Sequence, residues 1–186
     1  GALLINNKNF VKRASYIRDK GTNREDFQNH LVRKYTWIDY GSSYSLSEIN
    51  SCFLYSQLLN AKKITKRRRE IFFMYQSRLK NLSKHNKIQI PFITKNCFHN
   101  GHLFYIHVKK GKRANLIEYL RRKGISTVFH YIPLHSSPFG KRKCKTIGKL
   151  FSTTKYSNSL LRLPMHNAIK KNEIKKVCDE IEKFFE

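Results

Sequence analysis

Two histidines and a tyrosine fall close together in Val128-Phe129-His130-Tyr131-Ile132-Pro133-Leu134-His135. Imidazole is the side chain whose proton moves near neutral pH, so such a group can bind an anion or pass a proton. Val128 and Phe129 favour a strand, and Pro133 biases Ile132 to an extended backbone. The stretch therefore reads as a buried strand that opens into a proline-stiffened polar segment beside a cleft. A histidine at a strand end is more often a satisfied structural residue than a ligand, so these residues mark a site without naming a reaction. Two other places carry chemistry. Arg24 lies in the polar loop Gly21-Thr22-Asn23-Arg24, where a guanidinium grips a phosphate or carboxylate bidentately or simply caps the chain in solvent. Tyr40-Gly41-Ser42-Ser43-Tyr44 is a hydroxyl-rich turn leading into a helix, which suits a phosphate and equally a plain helix cap, the commoner case.

Composition bounds the protein class. The chain has 186 residues, 40% of them hydrophobic, with 13 Phe and 10 Tyr, which is enough for a real core and excludes a disordered tail. No apolar run is long enough to span a bilayer, and Ala2-Leu3-Leu4-Ile5 is too short for a signal peptide. The first residue is glycine, which fits a chain whose natural start lies upstream. The net charge of +26 points to a polyanion partner or to compositional drift, given abundant Lys, Asn and Ile and little Ala. Its densest runs are Lys62–Arg69, Lys109–Arg113 and Lys141–Lys143. Cys52, Cys97, Cys144 and Cys178 are too far apart for a metal site, and a reduced cytoplasmic setting follows. Cys52 and Cys178 read as small core residues on apolar helix faces.

The elements that must position these residues follow from periodicity. Ala2 to Ile5 reads as a strand cut from its beginning. A helix spans about Lys8 to Lys20, with Phe10, Ala14 and Ile17 on one face and Gly21 as its left-handed cap. Residues 25–44 show little periodicity, and Trp37 pins an irregular loop. Ser45 and Glu48 have capping-box spacing and start a helix presenting Ile49, Cys52, Phe53, Ser56 and Leu59. A second helix, from about Thr65 to Leu82, faces Ile71, Phe72, Tyr75 and Leu79 inward. Ile88 to Ile93 is an edge strand around Pro91, and His102 to Val108 a stronger one. Lys112 to Lys123 is a helix burying Leu116, Ile117 and Leu120, closed by Gly124, and Ile125 to His130 is the next strand. Strand, helix and strand in succession predict an α/β layer. Phe139 to Thr154 reads as a mobile basic loop, Tyr156 to Leu161 as a short helix, and Leu161 to Pro164 as a short strand. A last helix from Lys171 to Phe185 carries one apolar stripe through Ile174, Val177, Cys178, Ile181, Phe184 and Phe185.

Taken together, Gly21-Thr22-Asn23-Arg24, Lys34-Tyr35-Thr36-Trp37-Ile38-Asp39, Gly41-Ser42-Ser43-Tyr44, Asn100-Gly101-His102-Leu103-Phe104-Tyr105-Ile106, Phe129-His130-Tyr131-Ile132-Pro133-Leu134-His135-Ser136-Ser137-Pro138 and Leu160-Leu161-Arg162-Leu163-Pro164 resemble one family. The whole chain is similar to the C-terminal half of the DegT/DnrJ/EryC1/StrS sugar aminotransferases. The first, second and fifth of these runs are most like the enterobacterial subgroup that makes dTDP-4-amino-4,6-dideoxygalactose for enterobacterial common antigen.

The resemblance implies the C-terminal part of a type I fold, an α/β arrangement with a small sheet packed by helices and most of the large cofactor domain missing. Residues 1–62 would be a remnant of that domain with an interdomain helix, and residues 63–186 the small C-terminal domain. It implies pyridoxal 5'-phosphate as cofactor and amino transfer from glutamate to dTDP-4-keto-6-deoxyglucose. Ser43 and Tyr44 would touch the cofactor phosphate in a partner's site, and Arg24, His130, Tyr131 and His135 would lie near the sugar nucleotide. The Schiff-base lysine matches a position ahead of residue 1, so this chain alone is expected to be inactive and to need a homodimer partner or a complementary N-terminal half. The long basic loop from Lys141 to Lys149 departs from these relatives. A basic nucleic-acid-binding protein, resting on Phe72, Tyr75 and Tyr105 near basic runs, and a non-catalytic interaction remnant are the alternatives; no RNA-binding signature supports the former, and no membrane partner is expected.

Overall fold

The computed structural model describes residues 2–109 and 111–186. The chain forms two compact units, one up to Leu59 and one from Asn60 to Glu186.

The second unit is built on a four-stranded sheet. Its strands are β1 (Ile88–Gln89), β2 (Phe104–Val108), β3 (Val128–Phe129) and β4 (Leu160–Leu163), in the order β1-β2-β4-β3, with every neighbouring pair antiparallel. β4 therefore lies between β2 and β3, which flank the helix α5 (Arg113–Arg122) in sequence. Phe104, Ile106 and Val108 of β2 and Leu161 and Leu163 of β4 face a core completed by α4 (Ala61–Lys84), α5 and α8 (Lys171–Phe185). On α4, Ile71, Phe72, Tyr75 and Leu79 are buried at helical spacing, and the stripe of α8 buries Ile174, Val177, Cys178, Ile181 and Phe185. The Tyr75 hydroxyl donates to the Pro164 carbonyl at 2.9 Å, so this large buried ring leaves no polar atom stranded. Gly124 has φ 74° and ends α5 as expected.

Phe72 and Tyr75 are core residues, which removes two of the aromatics that the nucleic-acid reading placed beside basic runs. The densest of those runs is also structural in part. Arg67 donates to the Asn167 and Ile169 carbonyls, Arg68 to that of His102, and Arg69 to that of His99, so three consecutive arginines tie α4 to two loops.

The first unit holds α1 (Val11–Arg18), α2 (Arg24–Gln28) and α3 (Glu48–Leu59). Its only buried positions among the described residues are Gly21 and Asn23. Gly21 has φ 75°, and a Cβ there would meet the Asp39 carbonyl oxygen at 1.6 Å. Gly21 takes backbone hydrogen bonds from Ile38 and Asp39 on its carbonyl, and Asn23 bonds the backbone of Thr36 both ways. The loop around Trp37 is thus held by main chain, while the Trp37 side chain is 73% exposed.

Several expectations need correction. Ala2–Ile5 is not a strand. α2 occupies part of the stretch read as irregular, with Glu25 and Asp26 in its first turn beside the positive end of the helix dipole. α3 starts at Glu48 and not at Ser45, because the Ser47 hydroxyl takes the cap by accepting from Asn50 N at 3.4 Å. The face of α3 is exposed, and Cys52 with it; only Cys178 is a core cysteine. Residues 139–154 are not one loop but α6 (Pro138–Lys143), an irregular link and the start of α7 (Phe151–Ser159). β3 is exposed and short, because it is the sheet's edge and no strand covers its far side.

Candidate functional site

The residues marked by the sequence fall on both units. In the first unit, Ser43 sits on a turn fastened by its neighbours. Lys20 N donates to the Ser42 carbonyl, Ser42 N to that of Ile17, and Tyr44 N to that of Arg18. Glycine is needed at position 41, where a Cβ would meet Gly21 N at 2.1 Å. Asp39 braces the same turn, accepting from Arg13 Nε at 2.7 Å and from Tyr40 N at 2.8 Å. The hydrogen bond from Arg13, followed by that from Tyr40, holds the Asp39 carboxyl below its ordinary range. The Ser43 and Tyr44 side chains are exposed on this rigid turn. Arg24 is at the start of α2 and not in a loop; it is exposed, with Asp19 at 3.9 Å.

In the second unit, an open cleft of about 460 Å³ lies on the sheet face away from the core. His130, Tyr131 and Pro133 form one wall, Tyr156 and Ser157 of α7 the other, and Leu160 the floor. The rings of His130 and Tyr131 meet edge to face at 5.1 Å, and the His130 Nδ1 is buried with no hydrogen-bond partner. Behind the α7 wall, His107 of β2 shares a hydrogen bond of 3.1 Å with the Ser159 hydroxyl and packs on the Tyr156 ring at 4.6 Å. Burial and then the Lys155 ammonium push the His107 imidazole below its ordinary value, so it is neutral at pH 7 and serves as packing. His135 lies in the single turn Leu134–Ser136 and does not line the cleft. The α7 wall residues Tyr156 and Ser157 fall in the short helix expected from Tyr156 to Leu161, but that helix starts earlier, at Phe151, inside the stretch read as a basic loop.

These elements sit in a known context. Residues 1–182 match the DegT/DnrJ/EryC1/StrS aminotransferase family. The chain belongs to this family. The dTDP-3-amino-3,6-dideoxy-alpha-D-galactopyranose transaminase of Aneurinibacillus thermoaerophilus is 25% identical over 99% of this chain and 46% of its own length. An uncharacterised protein of Methanocaldococcus jannaschii is 28% identical over 76% of this chain and 38% of its own. Among solved structures, DesV of S. venezuelae, in complex with a ketimine intermediate, superimposes with a TM-score of 0.84 at 22% identity, over 98% of this chain and 46% of that one. The chain spans less than half the length of these relatives. The fold is the expected one, a small α/β arrangement with a four-stranded sheet packed by helices, consistent with a truncated type I fold.

The residues present suit one end of pyridoxal phosphate. The turn leaves no room for a side chain at Gly41, and Ser43 on it is exposed, with a hydroxyl that has the donor chemistry a phosphate oxygen accepts. No helix among the described residues is long and apolar enough to cross a membrane.

Proposed function

We propose that this chain supplies the C-terminal portion of a cytoplasmic sugar-nucleotide aminotransferase that moves the amino group of glutamate onto dTDP-4-keto-6-deoxyglucose. The open His130–Tyr131 cleft carries this reading, because it places the family-like FHYIPLH run beside a space large enough for part of a sugar nucleotide. The Aneurinibacillus relative, whose name describes an amino-dideoxygalactose carried on dTDP, supports the substrate class. Pyridoxal phosphate, when bound, supplies the carbonyl that carries the amino group between donor and sugar. Ser43 and Tyr44 hold its phosphate, in the site of a second copy of the enzyme. Arg24, His130, Tyr131 and His135 bind the sugar nucleotide, His130 and Tyr131 through the cleft wall. The residues that attach the cofactor covalently come from the large domain.

The reading is tested by mixing the chain with a family cofactor domain that carries the lysine, then following amino transfer by mass spectrometry. The 4-keto sugar nucleotide should be aminated, and the chain alone should give no product. Amination of a 3-keto isomer in its place would sink the substrate assignment. A borohydride-trapped adduct on a lysine of these 186 residues would overturn the division of labour.

A further inference from the structure

The sheet face that floors the cleft holds a cation with no counterpart. Arg162 stands on β4 between Tyr105 of β2 and Val128 of β3, in register with both. Leu161 and Leu163 point to the core, so the alternation turns Arg162 to the same face as Leu160, the cleft floor. The Arg162 Nε is buried and has no hydrogen-bond partner among the described residues, and its guanidinium joins no ion pair there. The second unit cannot supply an anion to it. Its acidic residues, Glu70, Glu118, Glu173, Asp179, Glu180 and Glu182, all lie on α4, α5 or α8, with Glu186 at the end of α8. Those helices build the core on the sheet's other face.

A second unsatisfied nitrogen belongs to His130. His130 lies one residue past the end of β3 and two after Val128, so a backbone that stays extended there carries it to the face of Arg162, and its Nδ1 is the orphaned atom of the cleft wall. Diagonal neighbours on one sheet face are roughly 7–8 Å apart, within reach of a long side chain. A buried guanidinium edge left unpaired costs free energy, and it is relieved by a group that brings two oxygens in a plane.

We propose that Arg162 and His130 together hold an oxyanion on this face. The Nε–H and one terminal N–H of Arg162 make the bidentate contact, and His130 donates from Nδ1. The choice of source rests on the aminotransferase reading: either the carboxylate of the amino donor or a phosphate of the sugar nucleotide carries that oxyanion.

The test is a titration of the whole 186-residue chain, followed through the arginine Nε–H resonances by ¹⁵N NMR. Sodium glutamate and thymidine diphosphate are the two probes. The Arg162 resonance should move and saturate with one of them, and the probe that moves it identifies the source. The Arg162 variants lack that resonance, so their binding is compared with that of the unaltered chain by isothermal titration calorimetry with the same probe: Arg162→Gln should weaken it about tenfold or more, as expected for loss of hydrogen bonds from a charged group. Arg162→Lys, which keeps the charge without the fork, should weaken it less, and it serves in place of the glutamine variant should that one unfold. Arg142→Gln, on the surface of α6, should leave it unchanged. An Arg162 resonance unmoved by both probes, or binding equally strong without Arg162, overturns the site. Amino transfer plays no part in this readout. If the sugar-nucleotide reaction fails while Arg162 still titrates, the anion site stands and the reaction falls.

Discussion

The two units of this chain are held by different forces. The unit from Asn60 onward buries aromatic and branched side chains from α4, α5, α8 and the sheet, so the hydrophobic term offsets its chain entropy. The unit before it buries no apolar side chain among its described residues. It is held by main-chain hydrogen bonds around Gly21, by the Asn23–Thr36 pair and by Asp39. Its apolar residues, such as Ile49 at 82% exposure and Phe53 at 69%, lie on the surface of α3. One unit resembles a domain that can fold on its own, and the other a surface that needs covering.

Removing an aromatic from each unit gives the largest contrast. Phe104→Ala should cost about 3–5 kcal/mol, because its ring packs between Phe72 and Tyr75 and leaves a cavity. Phe53→Ala should change stability by no more than about 0.5 kcal/mol. Urea unfolding followed by far-ultraviolet circular dichroism measures both, and equal losses would erase the distinction between the units.

Gly21→Ala comes next. The left-handed backbone and the collision with Asp39 should cost about 1–3 kcal/mol, confined to the first unit. Trp37 reports on this directly, since its emission should already be that of an exposed indole and its amide neighbours should lose exchange protection in the variant. A loss shared by the core amides of Ile106 and Leu161 would show that the units are coupled.

The smallest effect is chemical. Cys52, Cys97 and Cys144 are exposed and should react with a thiol reagent in the folded protein, whereas Cys178 should react only on unfolding. Burial pushes the Cys178 thiol up to about 12 from an ordinary 9.0, with the Arg78 charge opposing. The folded state therefore keeps a proton that the unfolded state releases. The stability of the second unit should be intact below about pH 9 and fall as the pH rises toward about 12. A flat profile across that window, or ready labelling of Cys178 in the folded protein, would place this helix outside the core.

Legibility in the sequence tracked the same division. The apolar stripe of α8 and the inward face of α4 were readable because their periodicity matches a surface present in the chain. The face of α3 has apolar residues at helical spacing and yet is exposed, because periodicity reports which residues seek burial and not what buries them. Ser45 lost the helix start to Ser47 through local cap geometry, a choice two residues apart that spacing cannot separate. The FHYIPLH run marked the cleft and the helix around Tyr156 was readable, but its first turns from Phe151 were hidden in a stretch of basic composition, and nothing in the sequence set that helix against the run.

What the sequence determined by itself was local and additive: the family motifs, the core faces of α4, α5 and α8, the glycine that closes α5, and the absence of metal-ligand spacing among the cysteines. Tertiary structure alone decided which residues share a face. It inserted β4 between β2 and β3, and so set Arg162 beside Tyr105 and beside Val128, two residues before His130. Strand order is fixed by how helices and sheet close around one core, a long-range condition that no stretch of sequence carries by itself. The pairing of a lone arginine in LLRLP with a histidine some thirty residues earlier becomes visible only once that order is known.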